Sequence, residues 1–195
     1  MSEAIRVAPP ERIDLDDDLV LRWVTVDDAD AIARAVGESL DHLKRWMPWA
    51  NATSADAAFQ RGRLRDQLQQ RKRGEEWQYG FFRDGDDTFL GSLGIMTRRG
   101  PGTLEIGYWL HVTAEHRGFA TRGARALTEI GLGFAEIDHM IIVCDEANVR
   151  SAAIPQRLGY TLDRIEPHAI EASCESGRMQ FWMTDRIPPA PPATP

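Results

Sequence analysis

Residues 105–164 decide the fold. The stretch opens with Glu105-Ile106-Gly107-Tyr108-Trp109-Leu110, turns through His116-Arg117-Gly118-Phe119-Ala120-Thr121, and continues into Cys144-Asp145-Glu146-Ala147-Asn148-Val149-Arg150-Ser151. It reads as strand, glycine turn, helix, strand, helix. A turn of small residues opening directly into a helix offers free backbone N–H groups and the positive end of a helix dipole to an anion. Such a turn suits a pyrophosphate and points to an enzyme that uses a phosphorylated cofactor.

Working outward, the helix after the turn is expected to run to about Glu136, with Ala120, Ala124, Leu127, Ile130 and Phe134 at helical spacing. The short apolar run His139–Cys144 reads as a buried parallel strand. Asn148–Leu158 reads as a helix ended by Gly159, and Tyr160–Ile165 and Arg178–Thr184 as paired closing strands. Upstream, Trp77–Phe82 and Phe89–Met96 flank the hairpin turn Asp84-Gly85-Asp86-Asp87. With Thr103–Val112 they form an antiparallel meander. Before them come a strand at Leu19–Trp23, a helix from the capping box Thr25…Asp28 to about Val36, and a helical turn and loop over Ser39–Ala50. A second long helix, Ala55–Arg73, is capped by Thr53-Ser54-Ala55-Asp56. The fold class is α/β, or α+β in stricter language: a mixed, mostly antiparallel central sheet flanked by helices. Residues 1–18 read as an N-terminal extension, 19–187 as a single domain, and the proline-rich 188–195 as a disordered tail.

Composition narrows the function classes. A chain of 195 residues, 43% hydrophobic and 27% charged, is an ordinary globular domain. Its 30 acidic and 23 basic residues leave a net charge of −7, which argues against a general nucleic-acid binder and suits an amine-bearing partner or simple solubility. The basic run Arg61–Arg73, interspersed with glutamines, reads as a solvated helix face. Cys144 and Cys174 belong to no Cys-x-x-Cys pair and lack a neighbouring His cluster, so neither a zinc site nor a disulfide framework is expected. No 18-residue apolar run or N-terminal signal core is visible, leaving no membrane partner and the cytoplasm as the default location.

The order of these motifs resembles the GNAT family of acyl-CoA-dependent N-acyltransferases. The resemblance rests on Thr103–Leu110, on Arg117-Gly118-Phe119-Ala120-Thr121, on Asn148-x-x-Ser151 and on Leu158-Gly159-Tyr160. The run Asp41-His42-Leu43-Lys44-Arg45-Trp46-Met47-Pro48-Trp49 looks like a segment of the RimJ/RimL-like branch of ribosomal-protein N-acetyltransferases. One departure stands out: Glu115 fills the position where the family turn carries Gln or Arg, and a carboxylate beside a pyrophosphate is unfavourable unless it points away.

The resemblance implies acetyl-CoA as co-substrate, with no metal. It implies amide contacts from Gly118, Phe119, Ala120 and Thr121, charge compensation by Arg117, backbone contacts from His111 and Val112 at a splayed strand end, and Asn148 and Ser151 facing the cofactor. Asn148 is equally well suited to capping its helix. Amine acylation needs a base for the amine, polarisation of the thioester carbonyl, and a proton for the departing thiolate. Glu105 is the candidate base, with a solvent-facing strand position as its alternative. Glu171 and Glu166 compete, Glu171 lying near the place where the branch carries such a glutamate. Ser151 is the candidate acid and Tyr160 its runner-up. A nucleophilic role for Cys144 is conceivable, although no activating base sits beside it in the sequence. Trp46, Trp49 and Trp77 are expected to wall the acceptor pocket, helped by Glu171. The favoured acceptor is a protein N-terminal α-amine, with a small amine or a non-catalytic acyl-CoA sensor as alternatives. Homodimers are common in the branch, but nothing in the sequence reports one.

Overall fold

The computed structural model describes residues 8–16 and 19–187. Its strands are β1 (Arg12–Asp16), β2 (Leu19–Trp23), β3 (Glu76–Arg83), β4 (Phe89–Met96), β5 (Thr103–Leu110), β6 (His139–Asp145), β7 (Thr161–Pro167) and β8 (Arg178–Thr184). The α-helices are α1 (Ala29–Glu38), α2 (Leu40–Leu43), α3 (Ala57–Lys72), α4 (Phe119–Leu132) and α5 (Val149–Arg157). One sheet carries all these strands in the order β1-β2-β3-β4-β5-β6-β8-β7. Only the β5–β6 pair among them is parallel, and α4 is its crossover.

The local signals explain most boundaries. Thr25 and Asp28 form the capping box ahead of α1. Asp56 caps α3, accepting the Phe59 amide at 2.8 Å. The helix expected to run to about Val36 continues to Glu38, and the one expected to reach Glu136 stops at Leu132. The strand expected to reach Val112 ends at Leu110, because Val112–Ala114 turns into a short 3-10 segment. β1 lies within the expected N-terminal extension: Ile13 and Leu15 pack on the core, and Arg12 and Ile13 pair with Arg22 and Leu21. The proline-rich tail lies outside the described residues.

The two faces of the sheet differ sharply. Trp77, Tyr79 and Phe81 of β3, Leu93 and Ile95 of β4, and Leu104 and Ile106 of β5 are essentially buried beneath α4. That helix comes very close: a Cβ at Gly123 would sit 2.7 Å from the Phe81 ring, and one at Gly131 would meet Met140 Sδ at 2.3 Å. The alternate residues turn the other way. Glu76, Gln78, Glu105, Gly107 and Trp109 line a cavity that α3 and the 46–49 turn help enclose. Gly94 pairs with Gly107, and the Gln78 side chain lies over Gly94, where a Cβ would come 2.4 Å from its Nε2.

The β5–β6 junction opens the sheet. Pairing ends at Ile106↔Ile142, while β5 runs on to Leu110 and β6 to Asp145. Gly107–Leu110 therefore pair with β4 on one side and have no strand on the other. Gly91, opposite Leu110, has φ +142°, and a Cβ there would lie 2.4 Å from the Trp109 carbonyl, so only glycine fits this bend.

Candidate active site

The turn before α4 is built for an anion. His116 and Gly118 both have left-handed backbones, with φ 59° and 74°. The first intrahelical bond runs from the Arg122 amide to the Gly118 carbonyl, 3.0 Å. The Phe119, Ala120 and Thr121 amides precede it and have no acceptor inside the helix. The Arg117 and Arg122 guanidiniums lie 4.8 and 5.1 Å from the centroid of the Phe119 ring, which keeps positive charge at this end. Glu115 is held by His42 at 3.0 Å and Arg150 at 3.3 Å, so its charge is already compensated. A cavity of about 830 Å³ borders the turn and continues past Asn148 and Ser151 to Tyr108 and Trp109.

A second cavity, about 710 Å³, meets the first at Tyr108, Trp109, Asn148 and Ser151. At this meeting point Asn148 caps α5, its side-chain oxygen accepting the Ser151 amide at 3.2 Å. The cap leaves the Asn148 NH2 group as a donor toward a ligand. Tyr108 Oη lies 3.1 Å from Ser151 Oγ and donates to the Ser151 carbonyl at 3.2 Å. Desolvation raises the Tyr108 phenol above its ordinary value, with the Ser151 hydrogen bond acting the other way. Tyr108 was not singled out from the sequence. Its only signal was its place on the inward-facing alternation of the central strand, which core tyrosines share.

Other expected contacts are placed elsewhere. The His111 amide donates to the Leu90 carbonyl at 2.9 Å, and the His111 carbonyl accepts from Ala114 at 2.8 Å. The Val112 amide donates to Ser39 Oγ at 3.1 Å. These backbone groups are occupied within the fold and border neither cavity, which corrects the expectation that they contact the cofactor. The His111 ring bridges Glu38 and Thr113 at 3.0 and 2.8 Å, a structural role. Trp77 is 1% exposed on the α4 face of β3, so strand parity removes it from the acceptor pocket. Trp46 and Trp49 do line the second cavity, and Trp109 joins them, its ring centroid 5.9 Å from that of Trp49. Tyr160 is core, its hydroxyl 2.7 Å from Thr128 Oγ1.

The carboxylates separate by environment. Glu105 faces the second cavity but is 3% exposed. Arg98 and Arg99 both clasp it, Arg98 Nε at 3.1 Å and each guanidinium through one closer contact. Its oxygens are thus committed to two permanent cations. Glu171 lines the same cavity, is exposed, and makes no side-chain hydrogen bond or ion pair with any described residue. Asp145 anchors the loop that carries Glu171. It accepts from Ser176 N and Oγ at 2.9 Å each, from Gly177 N at 3.2 Å and from His168 at 2.9 Å. Burial alone would raise Asp145, but the bonds from His168, Ser176 and Ala147 override it and hold the carboxyl at about 2. Burial pushes the Cys144 thiol up to about 11, only partly offset by the donor groups of Ser151 and Trp182 beside the sulfur. A thiol so raised is overwhelmingly protonated at neutral pH, which disfavours a nucleophilic Cys144. Among the described residues no cluster of three or more His, Cys, Asp or Glu could hold a metal ion, and no helix is long and apolar enough to cross a membrane.

Comparison with known proteins agrees with this layout. A profile of the acetyltransferase (GNAT) domain matches residues 18–161. The chain belongs to the GNAT acetyltransferase family. It is thereby an acetyl-CoA-dependent enzyme, and the unbonded α4 amides and the strand splay fit that co-substrate. A putative ribosomal N-acetyltransferase of Bacillus subtilis, YdaF, is 23% identical over 145 residues, covering 73% of this chain and 77% of that one. Solved structures share the GNAT fold at low identity. RimL, a ribosomal L7/L12 alpha-N-protein acetyltransferase in complex with coenzyme A, has a TM-score of 0.80 at 19% identity, covering 90% of this chain and 98% of that one. The microcin C7 self-immunity acetyltransferase MccE, in complex with acetyl-CoA and AMP, has a TM-score of 0.80 at 17% identity, covering 91% and 97%.

Proposed function

We propose that the chain acetylates the N-terminal α-amine of a protein, by direct attack of the amine within a ternary complex. The observation that carries this reading is the meeting of two cavities at the Tyr108–Ser151 pair, one at the anion-binding turn and one among aromatic and acidic side chains. Similarity to RimL and YdaF, whose names describe ribosomal acetyltransferases, supports a protein acceptor, ribosomal proteins being the first candidates. So does the acceptor rim, where Trp49 and Phe59 are 42% and 44% exposed. Exposed aromatics beside a cleft suit the flank of a polypeptide.

Acetyl-CoA supplies the activated thioester. In this reading the Phe119, Ala120 and Thr121 amides, with Arg117, grip its pyrophosphate. The open edge of β5 at Gly107–Leu110 pairs with the amides of the pantetheine arm, and Asn148 donates from the other wall. Glu171, an unpaired carboxylate at the acceptor mouth, takes the amine proton directly or through a water. The role first weighed for Glu105 passes to Glu171, because both Glu105 oxygens are already taken by the Arg98 and Arg99 guanidiniums, whereas those of Glu171 are open to the cavity. Ser151, with Tyr108 behind it, delivers a proton to the departing sulfur. Cys144 stays a spectator.

The test is acetylation of synthetic peptides by the purified chain, read by fragment-ion mass spectrometry beside a panel of polyamines and aminoglycosides. Acetyl on the peptide α-amine is expected; acetylation of the small amines alone would overturn the reading.

A further inference from the structure

The acceptor cavity does not end at the transfer point. It extends along the sheet floor to α3, and its inner end is polar where such a helix would ordinarily present an apolar face. Gln60, Arg63 and Gln67 of α3 line it, spaced to share one helix face. Arg63 donates its Nε to Gln60 Oε1 at 2.8 Å, and no described carboxylate forms an ion pair with it. Burial depresses its pKa from the ordinary guanidinium value, with the distant charge of Glu76 acting the other way. Gln67 adds an independent sign: its Oε1 is buried and has no hydrogen-bond partner. A half-buried guanidinium without a counter-ion and a buried acceptor without a donor both cost free energy unless a ligand completes them.

The charges of the cavity are polarised. At the inner end three guanidiniums, Arg63, Arg98 and Arg99, face two carboxylates, Glu76 and Glu105, leaving one positive charge in excess. Near the transfer point the cavity carries Asp145, Glu171 and Glu175 against His168 alone.

We propose that Arg63 forms a carboxylate-binding subsite that selects acceptor polypeptides with an acidic side chain close to the amino terminus. The α-amine sits at the acidic mouth, the acidic side chain reaches the Arg63 fork, and a peptide N–H donates to Gln67 Oε1. Arg63 suits the task because its planar fork matches a carboxylate in two-point contact. The proposal rests on the peptide-acceptor reading and adds to it a rule for which peptides are taken.

The experiment compares acetylation of peptides identical except for glutamate or glutamine at the second or third position, using the full-length chain and the variant Arg63→Gln. The wild-type chain is expected to favour the best-placed glutamate peptide by about tenfold or more in kcat/KM, through KM. R63Q is expected to bring that ratio near one while leaving the glutamine peptide's kcat/KM within about threefold. Arg63→Lys, which keeps the charge but not the fork, should retain part of the preference and serves if R63Q fails to fold. Equal use of glutamate and glutamine peptides by the wild-type chain overturns the subsite and leaves the N-terminal reading intact, and that comparison needs no variant. A preference that survives in R63Q also overturns it. Turnover of none of the peptides overturns the acceptor reading and the subsite with it.

Discussion

Replacing Glu105 by glutamine separates two roles that a carboxylate facing this cleft can play. The side chain is 4% exposed and contacts both Arg98 and Arg99, whose side chains are 58% and 34% exposed. Removing one partner of a fully buried ion pair costs about 3–5 kcal/mol. Here water can reach both guanidiniums, so roughly half of that, about 2 kcal/mol, is the expected loss for Glu105→Gln. In a domain of this size about 2 kcal/mol lowers Tm by roughly 4–8 °C. The chemistry of the folded fraction should stay within a few-fold of wild type. Glu171→Gln should show the reverse. An exposed, unpaired side chain changes stability by less than about 0.5 kcal/mol. Loss of a general base lowers kcat by about 10²–10⁴. The assay pairs calorimetric melting with thiol release under saturating acetyl-CoA and acceptor peptide. A Glu105→Gln enzyme that melts like wild type and loses a hundredfold in kcat would refute the assignment and return the base to β5.

Three further outcomes follow from the same geometry. Ser151→Ala should lower kcat by about 10²-fold, and adding Tyr108→Phe should cost much less than the single effects combined, since the two hydroxyls act as a unit 3.1 Å apart; fully additive losses would separate them. Asp145 has a depressed folded-state pKa, so its contribution is complete above the ordinary carboxylate pKa near 4 and fades as pH falls toward about 2. Urea unfolding should therefore show on the order of 2 kcal/mol lost across that window in wild type, and a shallower decline in Asp145→Asn. In thiol labelling at pH 7.5, Cys174 should react first, because the hydrogen bond from Arg45 Nε at 3.4 Å lowers its pKa. Cys144, raised by burial, should label only on unfolding, and rapid native labelling of Cys144 would contradict its placement.

Much of the fold was legible because its signals are local. The meander was written in alternation and an aspartate-glycine turn, α4 in the apolar spacing of Ala124 and Leu127, and the α5 start in a capping asparagine. β1 was harder to see, because five residues with three charges bury only Ile13 and Leu15, and their partners come from elsewhere in the chain. The site was legible where backbone geometry makes it, at Gly118 and Asn148. It was illegible where the third dimension decides. Trp77 reads like Trp46 until strand parity sends it beneath α4. Glu105 reads as an available carboxylate until the 98–99 turn folds two arginines onto it. The amides of residues 111 and 112 look available at a strand end until Leu90 and Ser39 take them.

The central claim, that the amides opening α4 hold the nucleotide of acetyl-CoA, is tested most directly by calorimetric titration of the purified chain with coenzyme A, beside Gly118→Val. Saturable one-to-one binding is expected for the wild-type chain, weakened at least tenfold in the variant, because valine cannot take the left-handed backbone that aims the three amides. Absence of binding by the wild-type chain, or undiminished affinity in a folded Gly118→Val, would contradict the account.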